Sequence, residues 1–459
     1  MKRFTVRPGI SSGSELRVGG GSRDNDRVIL GRLAESGPVV HVVHDLSMEH
    51  VVAMVGKRGS GKSYTLGAFL EGLCASPGKS PIGQISGRRA VLLFDTLGIF
   101  QWMNIPLSSN SAQEVIRQQH RAHSGWGLGD LLPLNVSIWV PKASGIPANA
   151  TRHPEFTISF SDLTASDWGY LLGLDILQDR MGQLLNDAYI KVTMDGWSDD
   201  STHYPEKSSY NIDDLLVCIR KDREINQNYQ TETRRALTQQ LTTYGRNPLF
   251  SNNGTSLYDV LRPGVLSIIV MNRMSDELRF TLITALIRRI MRMRIETSEL
   301  EKDTAIRGVV SNQTGAQATK IIGQVIPPCW IAVDEAQNFL PAERRTGATD
   351  MLVKLVREGR NYGLSFVVTT QQPTAIDSRI MAQVDTLIAH KLTVQSDIDY
   401  VRRNLKNSLP DEIKYGNTVL ELDGLLRSLD VGQALVSNTE ADRAFIIDVR
   451  PRVTVHGGF

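Results

Sequence analysis

The sequence predicts an α/β fold: a mostly parallel central sheet, interrupted by a mostly helical insertion and preceded by a small β-cap. Three observations predict it. Val51-Val52-Ala53-Met54-Val55 is an apolar, β-branched run that ends at Gly56, turns through Lys57-Arg58-Gly59-Ser60-Gly61, and enters a helical pattern at Lys62-Ser63-Tyr64. Further short apolar runs at 91–94, 265–271, 329–333, 364–369 and 386–390 alternate with helix-like stretches, as parallel βα units do. Finally, the sheet pattern stops near residue 106 and resumes near 263, with polar loops and helical segments between.

Composition bounds the function. The 459 residues are 41% hydrophobic and 22% charged, ordinary for a globular protein. The formal net charge is only +2, so a polynucleotide surface has to be a local concentration of Lys and Arg. Cys74, Cys218 and Cys329 are far apart and form no C-x-x-C. This argues against a disulfide framework or a zinc site and fits a reducing cytoplasm. Met1-Lys2-Arg3-Phe4 is basic, but no apolar stretch follows it. No run approaches the ~20 apolar residues of a spanning helix. Neither a leader peptide nor an integral membrane segment is expected.

Taken in order, residues 1–45 hold two short strands, 28–33 and 39–43, joined by a turn at Gly37-Pro38; they are too short to stand alone and form the β-cap. Residues 46–105 are the first part of the core. Strand 51–55, helix 62–74 and strand 91–94 predict a parallel neighbouring pair with a right-handed crossover, which places Asp95 beside the first strand. Residues 106–262 form the insertion, with helices at 111–123, 164–173, 175–191, 210–222 and 231–244, a loop from Asp195 to Ser209, and one isolated strand at 136–140. Residues 263–459 complete the core and end in a tail. A helix over 276–296 carries Leu278, Leu282, Leu286, Ile290 and Met293 at core spacing. Arg288, Arg289, Arg292 and Arg294 fall mainly on its other faces and read as a solvated surface. Helices 347–361 and 396–406 and a hairpin from Gln433 to Ile447 follow.

Gly56-x-x-x-x-Gly61-Lys62-Ser63 in a strand-to-helix setting is a phosphate-binding loop. Gly56 to Tyr64 are the candidate nucleotide contacts. Glycines let the backbone close on a polyphosphate, and the helix start offers unpaired N–H groups and roughly half a positive charge. Lys62 reaches the β- and γ-phosphates, and Ser63 supplies one oxygen to Mg²⁺. Ile331-Ala332-Val333-Asp334-Glu335 is an apolar strand ending in two acids, the complement such a loop needs. Asp334 is the metal-side acid and Glu335 the general base. Gln371 follows the next strand, at the sheet edge where ligands of open α/β sheets bind; it senses the γ-phosphate or only turns the chain before Pro373. Arg357 and Arg360, three apart on one helix, either stabilise charge on the transferred phosphoryl group, in cis or from a neighbouring subunit, or close the helix end. Asp95 joins the site or caps the next turn.

With these residues collected, the chain resembles the HerA branch of the FtsK–HerA superfamily. The resemblance rests on Leu30-Gly31-Arg32, the loop Gly56–Ser63, Ser161-Asp162-Leu163, Arg262-Pro263-Gly264, Asp334-Glu335-Ala336-Gln337-Asn338, Arg357-Glu358-Gly359-Arg360-Asn361-Tyr362-Gly363, Thr370-Gln371-Gln372-Pro373, Arg450-Pro451-Arg452 and His456-Gly457-Gly458. It implies a RecA-like core, ATP as the fuel, a homo-oligomer of hexameric form, movement on double-stranded DNA, and a nuclease or antiphage effector as partner. Three departures stand out. The N-terminal barrel of fuller members has little room here. The family's Asp-x-x-Gly-Glu-aromatic pattern reads Asp95-Thr96-Leu97-Gly98-Ile99-Phe100, without the acid at Ile99. The position after the motif glutamine is often Arg but is Gln372. Glu335 is therefore the strong base candidate.

Two functions share these motifs: a ring that pumps DNA, and a ring that assembles or gates an effector without processive movement. A motor needs basic pore loops, and Arg220-Lys221-Asp222-Arg223 and Arg234-Arg235 are candidates. A third reading, a conjugative coupling or secretion ATPase, is weakened by the lack of an apolar spanning run.

Overall fold

The computed structural model describes residues 15–20, 26–34, 39–75, 78–85, 89–128, 134–142, 153–307, 325–340, 342, 347–406, 413–415, 418–439 and 444–458. The turn expected at Gly37-Pro38 lies outside the described residues. The chain forms two compact units, one of residues 1–138, 260–270 and 293–459, the other of 139–259 and 271–292.

The first unit is built on one sheet. Its parallel block runs in the order Thr386–Ala389, Val51–Val55, Leu364–Thr370, Cys329–Val333, Ala90–Asp95, Leu266–Val270. Every residue of these strands is buried, which is why they read as continuous apolar runs and not as alternating ones. Beyond Thr386–Ala389 the sheet turns antiparallel through the hairpin Gln433–Asn438 and Phe445–Val449. Arg27–Leu33 then pairs with Phe445–Val449, and His41–Asp45 with Arg27–Leu33. The N-terminal cap is thus an edge extension of the central sheet, joined to it by the C-terminal hairpin.

Register places the site. Val55 lies opposite Thr370, Val368 opposite Val333, and Val333 opposite Phe94. All four strands run the same way, so Gly56, Asp334, Gln371 and Asp95 gather at one edge of the sheet. The helix Lys62–Leu73 starts at that edge and buries Leu66, Phe69, Leu70 and Leu73. The Phe69 ring meets Trp330 edge-on at 5.2 Å between centroids.

The second unit is mostly helical: Ala165–Leu172, Arg180–Ile190, Ile212–Lys221, Arg223–Asn228 and Thr231–Gly245. Thr164 with Asp167, and Asn211 with Asp214, form reciprocal capping boxes at two of the helix starts, each satisfying two backbone donors that a helix start leaves open. Leu184, Leu185, Leu215, Leu237 and Leu241 are fully enclosed in its core.

Several expectations need correction. Val51–Val55 and Ala90–Asp95 are parallel but not neighbours, because Leu364–Thr370 and Cys329–Val333 lie between them; Asp95 is therefore not beside the first strand. Two strands that come late in the chain are inserted between two early ones, and the early segment alone has no means of showing it. The helix expected to end at 296 runs from Asp276 to Arg307. Its arginines are not a wetted face. Arg288 is ion-paired with Asp167 at 2.5 Å and Arg289 with Asp162 at 3.0 Å. Arg294 is 1% exposed and donates to the carbonyls of Tyr362 and Ile326; only Arg292 stands exposed. The loop Asp195–Ser209 holds a two-residue ladder, Trp197–Ser198 with His203–Tyr204.

Candidate active site

The phosphate loop is shaped by close approaches. A Cβ on Gly56 would lie 2.5 Å from Ser60 Oγ and 2.7 Å from His390 Cβ, so no side chain fits there. Gly61 caps the helix with φ +102°, a conformation that only glycine adopts readily. The loop is tied to the sheet by Gly56 N–H donating to Thr370 O at 3.2 Å and Lys57 N–H to Lys391 O at 2.9 Å. Ser60 Oγ turns back onto Lys57 O at 2.8 Å. Lys57, Arg58 and Gly59 are exposed. His390 supports the loop from below: its Nε2 is 3.0 Å from Thr65 Oγ1 and its Nδ1 2.8 Å from Gln433 O. Burial lowers its pKa to about 4, so it is a neutral prop at physiological pH.

Lys62, Ser63, Asp334, Glu335 and Gln371 converge. Lys62 Nζ lies 2.6 Å from Glu335 Oε1, with both side chains no more than 5% exposed. Gln371 Nε2 donates to the same oxygen at 2.7 Å, and Gln337 Nε2 donates to Oε2 at 2.8 Å. Burial opposes ionisation of Glu335, but the Lys62 charge and these donors outweigh it and hold its carboxyl below the usual value. Among the described residues Glu335 is the only non-glycine residue with positive φ, +53°. This strained backbone turns the acid back toward Lys62, and such strain collects at functional sites.

Asp334 is held by Thr369, whose Oγ1 donates to its Oδ1 at 2.5 Å and accepts the Glu335 N–H at 3.1 Å. One hydroxyl thus fixes both acids. Ser63 Oγ is 3.5 Å from Asp334 Oδ1. Asp334 Oδ2 is buried and has no protein hydrogen-bond partner, and burial raises the Asp334 pKa to about 6. A buried carboxylate oxygen without a donor, beside a serine hydroxyl, is a pair of hard oxygens suited to Mg²⁺.

Other candidates lie elsewhere. The Tyr64 hydroxyl accepts the Arg452 N–H at 2.8 Å, and its ring stands edge-on to His456 at 5.3 Å, so this side chain serves the tail. Asp95 caps a turn: its oxygens accept the N–H groups of Gly98, Ile99 and Phe100 at 2.8, 3.2 and 2.9 Å. Arg357 is exposed. Arg360 is ion-paired with Asp385, whose Oδ2 also accepts the Val51 N–H at 3.0 Å. Val51 begins the strand that ends at the phosphate loop. Arg360 is therefore held about 15 Å from the loop of its own chain, at ~3.3 Å per strand residue. The structure does not bring Arg360 to the site, and Arg357 makes no hydrogen bond or ion pair with the cluster.

Sequence reasoning did not pick out Thr369, Gln337, His390 or Asp385. Thr369 is legible only as a polar residue in a buried strand, one before Thr370. Gln337 stands in the quoted acidic motif without a role of its own there.

A family model described as "Helicase HerA, central domain" matches residues 28–290, more than half of the chain. The chain belongs to that family. A double-strand break repair helicase HerA from Pyrococcus furiosus is 22% identical over 387 residues, covering 81% of this chain and 62% of that relative. The HerA-family chain thus spans less than two thirds of that relative's length. A probable HerA of Methanocaldococcus jannaschii is 26% identical over 134 residues, 29% of this chain and 25% of that protein. Among solved structures, VirB4 of Thermoanaerobacter pseudethanolicus superposes with a TM-score of 0.50 at 13% identity, covering 94% of this chain and 98% of that one. This likeness speaks for a shared fold, that of a RecA-like P-loop ATPase core. Among the described residues no helix is long and apolar enough to cross a membrane.

Proposed function

We propose that the chain hydrolyses ATP in a ring of its own copies and uses the energy to move along double-stranded DNA. The carrying observation is the buried cluster at the sheet edge. Lys62 and Glu335 neutralise each other at 2.6 Å, while Gln371 and Gln337 grip the glutamate from two sides. Phosphates entering the loop draw Lys62 onto the β- and γ-oxygens. That frees Glu335 Oε1, still gripped by Gln371, to take the proton from an attacking water. Ser63 and Asp334 would hold Mg²⁺, which would neutralise charge on the phosphates. Within a chain, Lys62 is the cation this cluster contains, and Arg360 is tied to Asp385 instead. A second positive group therefore comes from a neighbouring copy, with Arg360 better placed than Arg357 because an ion pair aims it.

DNA enters from the relatives, which are described as DNA break-repair helicases. Arg220, Lys221, Arg223 and Arg235 are exposed and are the candidate DNA contacts. Arg234 is not, because it bonds Tyr229 O, Asn226 and Thr231 on its own segment. The test is ATP turnover with and without duplex DNA, together with ATP-dependent displacement of a protein roadblock. Lys62→Ala serves as the nucleotide-binding control. DNA-stimulated turnover with displacement is expected. Turnover that never moves a roadblock, with any effector or nuclease partner supplied, would assign the ring to gating or assembling that partner.

A further inference from the structure

We propose that Asp385 is the positioning residue that presents Arg360 to the nucleotide of a second copy of this chain. The proposal rests on the ring reading above. Asp385 opens the strand Thr386–Ala389, next to the phosphate-loop strand, and its side chain is 10% exposed. Its oxygens are almost fully committed. Oδ2 takes Arg360 Nη2, the Val51 N–H at 3.0 Å, and His50 Nδ1 at 3.3 Å; Oδ1 takes Thr386 Oγ1 at 3.0 Å. Thr386 Oγ1 is fixed in turn by Asn438 Nδ2 at 2.6 Å and by His44 Nε2 at 3.1 Å.

This carboxylate sits in a locked hydrogen-bond frame, whereas Arg360 is 45% exposed. The guanidinium is pinned through one nitrogen, and the rest of its planar fork faces outward. A fork held this way has already lost most of its rotamer freedom, so an incoming phosphate oxygen meets a preformed donor pair. The backbone supports the presentation. Gly359 is buried, and Gly363 reverses the chain at φ +74°, which holds Arg360 on a short turn between them. A mere surface ion pair would not need an acceptor tied to a strand backbone, a histidine and a threonine at once.

Mixed rings test this, because a residue serving a neighbour and a residue serving its own site fall into different complementation groups. Pairs of variants are co-expressed with two affinity tags, and rings carrying both are isolated. Lys62→Ala with Arg360→Ala should recover turnover several-fold above either parent, since one chain lends its arginine and the other its loop. Asp385→Asn should lose at least about tenfold, a fraction of the roughly 10³–10⁵ that a phosphate-directed arginine contributes, because the arginine itself is still present. It should recover when mixed with Lys62→Ala and fail to recover when mixed with Arg360→Ala. The reverse pattern would mean that Asp385 only braces Val51 and its own loop, which overturns the proposal. Wild-type turnover by Asp385→Asn overturns it as well. No recovery in the Lys62→Ala and Arg360→Ala mixture would instead defeat the shared-site reading, a separate outcome. Thermal unfolding and nucleotide binding check that Asp385→Asn is folded. If it is not, Asp385→Glu, which keeps the charge, is placed in the same groups and should show a milder loss.

Discussion

At the scale of single residues, the decisive contact is Lys62 to Glu335. The lysine we propose for phosphate and the glutamate we propose for water lie against each other, 2.6 Å apart and buried. Under the proposed mechanism the base stays blocked until nucleotide recruits Lys62. Glu335→Gln removes the charge that holds Lys62 and leaves an amide in nearly the same volume. Nucleotide should bind as tightly as in the parent protein or tighter, while turnover falls by about 10² or more, the usual share of a general base. Equilibrium binding of a labelled ATP analogue and steady-state phosphate release measure the two. Normal turnover would remove Glu335 from the base role. These two residues were legible in the sequence, because a glycine turn after a buried strand and two acids after another have few other uses together. Thr369 was not, since a hydroxyl inside an apolar strand carries no sign of what it will face. The mutual pairing of Lys62 and Glu335 was equally hidden, being a property of distance between positions 273 residues apart.

At the scale of elements, the C-terminal tail and the phosphate-loop helix form one buried ionic unit. Glu71, on the helix, is 0% exposed, as are its partners Arg450 and Arg452. Its Oε1 also accepts the Thr454 hydroxyl at 2.6 Å and the Thr454 N–H at 3.0 Å. Arg450 continues to Ile29 O and Ala68 O, so the tail staples the N-terminal strand to the same helix. A Cβ on Gly67 would strike the Arg452 guanidinium at 2.7 Å, and this accounts for a glycine in mid-helix. Burial opposes ionisation of Glu71, but Arg452, Arg450, Thr454 and the Val453 N–H outweigh it and hold its pKa below the usual value. A depressed acid stabilises the fold above its unfolded pKa of about 4.3 and loses that contribution as the pH falls through the folded value. Glu71→Gln leaves two buried guanidiniums without a counter-charge. It should cost about 3–5 kcal/mol, the size seen when one partner of a buried ion pair is removed. Thermal unfolding against pH should show the parent losing stability below about pH 4.3 and the variant, already destabilised, showing a flatter acid limb. Parallel acid limbs would mean that the triad does not carry this term. Arg-Pro-Arg in a tail reads as surface until its partner is known, and Glu71 lies among Leu70, Gly72 and Leu73 with nothing to mark it as buried. The strand order was hidden for a related reason: each apolar run announces a strand, but neighbours in a parallel sheet are set by crossovers that carry no local signature.

At the scale of the whole molecule, the site is well furnished on one side only. Lys62, Ser63, Asp334, Glu335, Gln337 and Gln371 converge at the sheet edge, and in the proposed mechanism they supply a phosphate grip, a metal seat and a base. The remaining need in phosphoryl transfer is a cation opposite Lys62, worth roughly 10³–10⁵ in rate where it is an arginine. Arg360 stands at the far end of the sheet strand and faces outward, a placement that makes sense if copies are arranged head to tail, each closing the site of the next. Activity is then a property of the assembly, not of the chain. Turnover per subunit should fall steeply as the protein is diluted through the concentration at which rings come apart, by tenfold or more. Added ATP and Mg²⁺ should push that midpoint to lower concentration, because a nucleotide held by two copies stabilises their contact by mass action. Phosphate release measured over a dilution series, with particle mass read in the same samples, tests both statements. Turnover per subunit that stays constant while the mass falls to that of one chain would show a site complete in itself, and Arg360 would then be no more than the end of a helix tied to the sheet.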